Sequence, residues 1–403
     1  MAKLLDIIWS FLKLGVIGAV IWLGSCQTTR TILKQAPLET PTGWLEPLQI
    51  TPPTELEKQL LQTELYGDLN LTPSVTVRNK STLDAALFDG QATLIQYELT
   101  VDYGAATRPL DLIALLPNKS DTAPIILSQN FCPNNNVVPL SGVKQPEESS
   151  FDCSGGGLSG ALMTSLFGRY IVTPPLEDIL DRGYGFAAIY PSQFVPDSAQ
   201  AGLATLDRLF PDRPNRPGAL SVWANLFDVM ATILMDDFND RSMIAYGHSR
   251  FGKTALMAAA KSDHIDGAIA HQSGTLGASS LIDGTGEPLD ALIESYPHWP
   301  GPRLQSYVDQ PEKIPVRPAH LLALSGNKPI LLGNARRDVW SDPWGAFTEA
   351  KAAWGDAFAA SEPADFRPRD EKAYWIRPGT HGVVKEDWPA FLDFLDAHFK
   401  DAE

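Results

Sequence analysis

Ten residues constrain this 403-residue chain more than any others: Tyr246-Gly-His-Ser-Arg-Phe-Gly-Lys-Thr-Ala255. The apolar run Met243 to Tyr246 leads in and predicts a buried strand; the small and aliphatic run Thr254 to Ala260 leads out and predicts a helix. A glycine-flanked serine between strand and helix is the setting of a nucleophile elbow, where a sharp turn lifts a hydroxyl above the C-terminal edge of a sheet. Ser249 is therefore the candidate nucleophile. The same residues also match the phosphate-loop pattern Gly-x4-Gly-Lys-Thr. Such a loop wraps an anion with backbone N–H groups, a task for small residues. Here His248, Arg250 and Phe251 crowd its centre. The elbow reading has its own departure, because Gly252 falls three residues after the serine rather than two.

The N-terminus weighs on this choice. Lys3 and Lys13 precede the apolar stretch Leu14 to Leu23, and Leu23-Gly-Ser-Cys26 follows, the layout of an export signal. Leu-Gly-Ser-Cys resembles the lipobox of bacterial lipoproteins, which implies lipidation of Cys26. In such proteins the absence of aspartate at the next position, Gln27 here, implies the outer membrane. The alternative is an uncleaved membrane helix, with the stretch extended back to Leu4 across Lys13 and Asp6. Either way the folded part is expected outside the cytoplasm, facing the periplasm, where no ATP meets a phosphate loop. Residues 1–26 read as the signal, 27–50, with Pro37, Pro41 and Pro47, as a tether, and 51–403 as one catalytic domain. Cys132 and Cys153 lie in polar sequence and are expected to pair in an oxidising compartment, contributing about 3 kcal/mol. The net charge of −16 argues against a nucleic-acid partner.

The rest of the chain predicts an α/β fold. Glu55 to Tyr66 has helical spacing; Ala92 to Val101 and Leu110 to Leu116 suggest paired strands. Then short apolar strands (Ile125 to Leu127, Gly185 to Tyr190, Met243 to Tyr246, Gly267 to Ala270, Ile330 to Gly333, Tyr374 to Arg377) alternate with helices, including Ser221 to Asp236 and Trp388 to Phe399. Such alternation implies a mostly parallel sheet with helices on both faces, a three-layer sandwich.

A serine nucleophile needs a base, and the base needs an orienting acid, in the chain order Ser, Asp or Glu, His on this scaffold. Of seven histidines only His381 and His398 lie near the C-terminus, and His398 sits within the last helix. His381 follows a strand in the turn Pro378-Gly-Thr-His-Gly382, where a base must stand. Asp338 and Asp342 both follow the preceding strand; Asp342, before Pro343, is explained by a turn or helix cap, so Asp338 is preferred. Arg250, next to the serine, offers a backbone N–H and a guanidinium to a developing oxyanion. This chemistry calls for no cofactor or metal.

Gly247-His-Ser-Arg-Phe-Gly-Lys253 resembles the Gly-x-Ser-Arg-x-Gly-Lys signature of the glucuronoyl esterases, carbohydrate esterase family 15, to which the displaced glycine belongs. Arg182 to Tyr190 with Pro196-Asp197, Tyr296-Pro-His-Trp299, and Asp338-x-Trp340-x-Asp342-Pro343 are similar to further family segments in the same order. The resemblance runs from about residue 50 to the end and implies an α/β-hydrolase. It implies Ser249 and His381 as nucleophile and base, Arg250 in the oxyanion hole, and Lys253, Glu287, Trp299 and Trp340 at the uronic-acid sugar. The implied substrate is a 4-O-methyl-glucuronoyl ester of glucuronoxylan; a general carboxylesterase or acetyl-sugar esterase is the alternative on the same fold. Some members place the acid just before the Ser-Gly after the sixth strand; here Gln272 stands there and cannot ionise, which favours Asp338. Cys132-Pro-Asn-Asn135 replaces the family's Gly-Asn-His, and Pro300 replaces the usual aromatic after His-Trp.

Overall fold

The computed structural model describes residues 35–146, 153, 167–238, 241–282 and 286–400. Cys26 and the apolar stretch before it lie outside the described residues. Among the described residues nine strands form one sheet: β1 (Ser74–Ala86), β2 (Ala92–Asp102), β3 (Thr107–Pro117), β4 (Ile125–Gln129), β5 (Gly185–Ile189), β6 (Met243–His248), β7 (Gly267–His271), β8 (Ile330–Ala335) and β9 (Lys372–Arg377). Their order is β1-β2-β3-β5-β4-β6-β7-β8-β9. The first three strands and the β3–β5 pair are antiparallel; every other pairing is parallel.

The central strands are short and wholly buried, as parallel strands covered on both faces must be. Helices α1 (Ala199–Leu209), α2 (Ala219–Asp237), α3 (Arg250–Lys261), α4 (Pro343–Trp354) and α5 (Asp387–Phe399) supply most of the cover. Tyr374 and Trp375 are neighbours on β9 and so point to opposite faces. Tyr374 meets Phe347 of α4 on one face, and Trp375 reaches Asp387 of α5 on the other. On the α4 side, Trp223 of α2 packs edge-on against Phe251 of α3. On the α5 side, Trp388 and Phe391 close over Tyr246. The chain therefore has the expected α/β-hydrolase arrangement of sheet between helical layers. Helix α2 is long and apolar enough to cross a membrane, yet it packs inside this core.

Two features differ from the sequence-based expectation. Strand β1 was not foreseen, because its residues are largely exposed and its pattern carries Arg78 and Lys80, the charged dress of an edge strand. The segment expected as a tether is held along the body from residue 36 onward. Ala36 N donates to Arg336 O (2.6 Å), Thr40 Oγ1 to Ser361 O (3.1 Å), and Ile50 N to Ala352 O (2.9 Å). Trp44 packs edge-on against Trp344 with ring centroids 5.5 Å apart.

The chain turns back at β4: β5 lies on one side of it and β6 on the other. In an open parallel sheet, a crevice forms at such a reversal beyond the carboxyl ends of the strands. The register levels those ends, with Gln129 opposite Gly247, His248 opposite His271, and His271 opposite Gly333.

Candidate active site

Ser249 stands at this reversal, between β6 and α3, as the residue that caps α3. Its backbone has φ 57° and ψ −122°, a conformation L-residues rarely hold and one that costs roughly 1–3 kcal/mol. The flanking glycines are required by close approach. A Cβ on Gly247 would sit 2.0 Å from the Phe251 carbonyl oxygen, and one on Gly252 2.9 Å from the His271 carbonyl oxygen. The displaced second glycine is thus explained: the first turn of α3 lies directly against β7. Ser249 N also donates to His271 O (2.8 Å). Lys253 is 4% exposed, and its ammonium donates to the Ser273 carbonyl oxygen.

His381 and Asp338 are brought together. His381 Nδ1 donates to Asp338 Oδ2 at 2.7 Å, and Asp338 Oδ1 accepts from the backbone N–H groups of Trp340 (3.0 Å) and Ser341 (3.1 Å). Burial alone would raise the Asp338 pKa. The adjoining His381 ring and the hydrogen bonds from His381 and Ser341 outweigh it and hold the carboxyl below its usual range. Asp342 does not join this pair; it accepts from Gly345 N (3.2 Å) as the N-cap of α4, the bland role its sequence context suggested. The loop bearing His381 is pinned twice. Arg377 donates to the carbonyls of Pro378, Thr380 and Gly382, while Gln272 accepts from Gly382 N (2.8 Å) and donates to Thr380 O (3.3 Å). His398 lies apart from the site, on the Asp370 carbonyl.

Arg250 belongs to a second buried cluster. Its Nη1 pairs with Asp197 Oδ2, while Asp197 Oδ1 accepts from His298 Nε2 (3.1 Å) and Trp299 Nε1 (2.9 Å). Burial opposes ionisation of Asp197, but the Arg250 charge and these donors bring its pKa down to about 2. The guanidinium lies 4.6 Å from the ring centroid of Trp299, 5.1 Å from Tyr296 and 5.3 Å from Phe131.

No protein-family model matches the chain. A curated protein named "Carbohydrate esterase MZ0003", from an unknown prokaryotic organism, is 27% identical over 365 residues, spanning 85% of this chain and 83% of that one. The solved glucuronoyl esterase of Solibacter usitatus superposes with a TM-score of 0.70 at 25% identity, covering 86% of this chain and 92% of the other. The chain is a carboxylic ester hydrolase related to the family 15 carbohydrate esterases. A glucuronoyl esterase of Sporotrichum thermophile, solved with methyl 4-O-methyl-β-D-glucopyranuronate bound, shares the fold of this esterase at a TM-score of 0.57 and 12% identity, over 85% of this chain and 80% of that one.

The residues expected at the sugar are held in different ways. Lys253 and Glu287 interact electrostatically. Burial brings the Lys253 pKa down to about 8 despite Glu287, and burial raises that of Glu287 despite Lys253. Trp340 is half-buried, edge-on to His381 with centroids 5.3 Å apart. Trp299 departs from expectation. It is 2% exposed, stacked on Tyr296 at 3.8 Å and bonded to Asp197, so it backs Arg250 instead of presenting a face to a ligand. A cavity of about 370 Å³ opens beside His381, between Phe167, Arg337, Thr380, Val384 and Glu386.

Cys132 and Cys153 form a disulfide. Sequence reasoning assigned no role to Asp197 and His298, although both lie in segments it singled out. It also passed over His248 and His271. Their rings are 5.0 Å apart, and His248 lies 4.6 Å from His381. Burial, and then the neighbouring His and Arg charges, push both pKa values well below the usual histidine value, so the two rings stay neutral. Among the described residues no cluster of three or more His, Cys, Asp or Glu is arranged to hold a metal ion.

Proposed function

We propose that this esterase hydrolyses 4-O-methyl-glucuronoyl esters through Ser249, His381 and Asp338. Ser249 Oγ bonds to the ester carbonyl carbon as His381 takes its proton, and Asp338 holds the imidazole by Nδ1 and stabilises the imidazolium. The negative charge that forms on the carbonyl oxygen meets the Arg250 backbone N–H and guanidinium. Collapse breaks the bond to the alcohol, which leaves with the proton from His381. Water, deprotonated by His381, then releases the acid from the acyl-enzyme. The observation that carries this reading is the 2.7 Å His381–Asp338 bond in a site whose serine is held at φ 57° on a strand-to-helix turn. Lys253 and Glu287 would bind sugar hydroxyls by charge-assisted hydrogen bonds.

A second reading, an esterase for acetyl or other simple acyl groups, is favoured by one observation: the Lys253 ammonium already donates to Ser273 O. Comparing benzyl glucuronate, acetylated xylose and p-nitrophenyl acetate decides between the two, and preferred turnover of acetylated xylose would discard glucuronate. Ser249→Ala should abolish turnover of every ester, by about 10⁶-fold in kcat as for other serine nucleophiles. Retained turnover in that variant would refute the mechanism. We also propose that the protein is exported and tied to the outer membrane by a lipid on Cys26. Cys26→Ala should then move it to the soluble fraction; retention on the membrane without lipid would favour an uncleaved helix.

A further inference from the structure

One guanidinium nitrogen brackets the candidate base. Arg377 Nη2 donates to Thr380 O (3.3 Å) and to Gly382 O (2.7 Å), the carbonyls on either side of His381. Nη1 donates to Pro378 O (2.9 Å), at the start of the same turn. The turn is wrapped closely on the cation. A Cβ on Gly379 would stand 2.7 Å from Nη1, and its φ of 105° is one that glycine adopts without strain. Arg377 closes β9 and is buried, and its Nε donates to Asp387 Oδ1 at 2.8 Å. Asp387 comes from a different element. It is the first residue of α5, fully buried, and its Oδ2 accepts from Val384 N (2.8 Å), further along the same turn. A buried pair of this kind returns little net stability beside a well-packed apolar pair. What it supplies here is direction: a planar fork held at Nε by α5 has its other two nitrogens fixed in place.

We propose that Arg377 and Asp387 are positioning residues for His381, and that the pair sets the imidazole between Ser249 and Asp338 by fixing the backbone on both sides of it. This rests on the Ser249, His381 and Asp338 reading above. The loop that carries the acid is tied to the same frame. Arg336 N donates to Arg377 O (2.9 Å), and Arg337 N donates to Gly379 O (2.9 Å). The acid and base loops are therefore joined at Arg377, and loosening this point moves the imidazole against its carboxylate and against the serine. Lys253 lies on α3, so its place does not depend on this turn. The pair should accordingly act on kcat and leave KM nearly alone.

The test uses two near-isosteric changes. Arg377→Lys keeps a cation for Asp387 but has no fork to hold three carbonyls. Asp387→Asn keeps an acceptor for Nε and removes the charge. Folding is followed by circular dichroism, local order by amide hydrogen exchange of the peptide spanning 378–386, and kcat and KM on the ester that the parent turns over best. In Arg377→Lys, kcat should fall about 10- to 100-fold, the loss that a small misplacement of a reacting group brings, with KM changed less than about twofold. Asp387→Asn should fall toward the lower end. In both, exchange should quicken in 378–386 and stay at the parent rate in the strands. Parent-like kcat in a folded variant overturns the positioning, as does a loss of kcat with no change of exchange in that peptide. Unfolding of both variants would make the pair a support of the fold and overturn it too. His381→Ala separates this from the reading beneath it. If that variant keeps the parent's turnover, the base assignment fails and the positioning with it. If it is inactive while Arg377→Lys and Asp387→Asn are fully active, only the positioning fails.

Discussion

Two buried aspartates flank the candidate nucleophile, and they are held in opposite ways. Asp338 faces a titratable ring, with two backbone N–H groups on its other oxygen. Asp197 faces a permanent cation and two side-chain donors, His298 and Trp299. A carboxylate against imidazole orients a ring that, as the proposed base, takes up and returns a proton, and it gains most when that ring is protonated. A carboxylate against guanidinium fixes a charge that never changes. On the mechanism proposed above, the comparison teaches that the site divides into a half that moves protons and a half that supplies a standing field.

The comparison is broken most directly by removing the first charge. Asp338→Asn keeps the shape but favours the wrong imidazole tautomer, and should lower kcat about 10⁴-fold. Asp342→Asn is the comparator and should cost at most a few-fold, since asparagine also caps helices and tolerates the left-handed backbone that Asp342 adopts (φ 42°). A larger loss at position 342 would reassign the acid.

Asp197→Asn should be the next largest. Arg250 would keep its charge in a site where its side chain is 13% exposed, without the carboxylate that aims it. Removing an oxyanion donor elsewhere costs about 10²–10³ in kcat, and misdirecting this one should cost toward the lower end, about 10²-fold. The two aspartates should also differ in acid. Asp197 has a folded pKa of about 2 against an ordinary value of 3.8, so its contribution is fully present above pH 4. It is lost as pH falls through about 2, and is worth roughly 2 kcal/mol. Acid denaturation monitored by circular dichroism should show the Asp197→Asn variant losing less stability than the parent below pH 4. An unchanged acid limb would remove Asp197 from the account.

Lys253 sharpens the comparison, as a buried cation that, unlike Arg250, can lose its charge. Its pKa of about 8 is depressed chiefly by burial, so the ammonium is charged at neutral pH and is lost as pH rises through 8. For stability the sign is reversed. A depressed lysine pKa costs the folded state free energy below 8, and the cost is relieved between about 8 and 10.5. kcat/KM for benzyl glucuronate should therefore fall above pH 8 in the parent. Lys253→Met should lower it about 10- to 100-fold at neutral pH and erase that alkaline limb. Turnover of p-nitrophenyl acetate should change little. Equal losses on both esters would make Lys253 a support of the fold.

The two halves were not equally legible in the sequence. Ser249 was readable because an elbow imposes local spacing: a buried strand, two glycines forced by backbone contact, and a helix. Asp338 and His381 were readable because each follows an identifiable strand at the same edge. The Asp197 cluster was not, because its bonds join residues 53, 101 and 102 positions apart and no local period marks them. Trp299 was misplaced for a related reason. A tryptophan near a site looks the same in sequence whether its ring faces a ligand or, as here, backs an arginine. Strand β1 was missed because an exposed edge lacks the apolar alternation that marks a strand.

Gln272 gives the smallest expected effect and the finest test of the division. Its amide clamps the backbone on both sides of His381. Gln272→Glu keeps the acceptor for Gly382 N but loses the donor to Thr380 O and turns a carboxylate toward that carbonyl. Alone, this should lower kcat by less than about 10-fold, through a loosened loop and not through lost charge. In the Asp338→Asn background the same change supplies a negative charge one residue from the imidazolium. It should recover about 10-fold of the lost rate, the equivalent of roughly 1.4 kcal/mol. Both values come from single-turnover rates on one ester, with the pH profile recorded for each variant. If the double variant recovers nothing while the single variant stays active, the carboxylate must touch His381 at Nδ1 to act, and nearby charge alone does not suffice. If it recovers the full rate, position 338 is interchangeable with position 272, and the proton-moving half has two equivalent anchors instead of one.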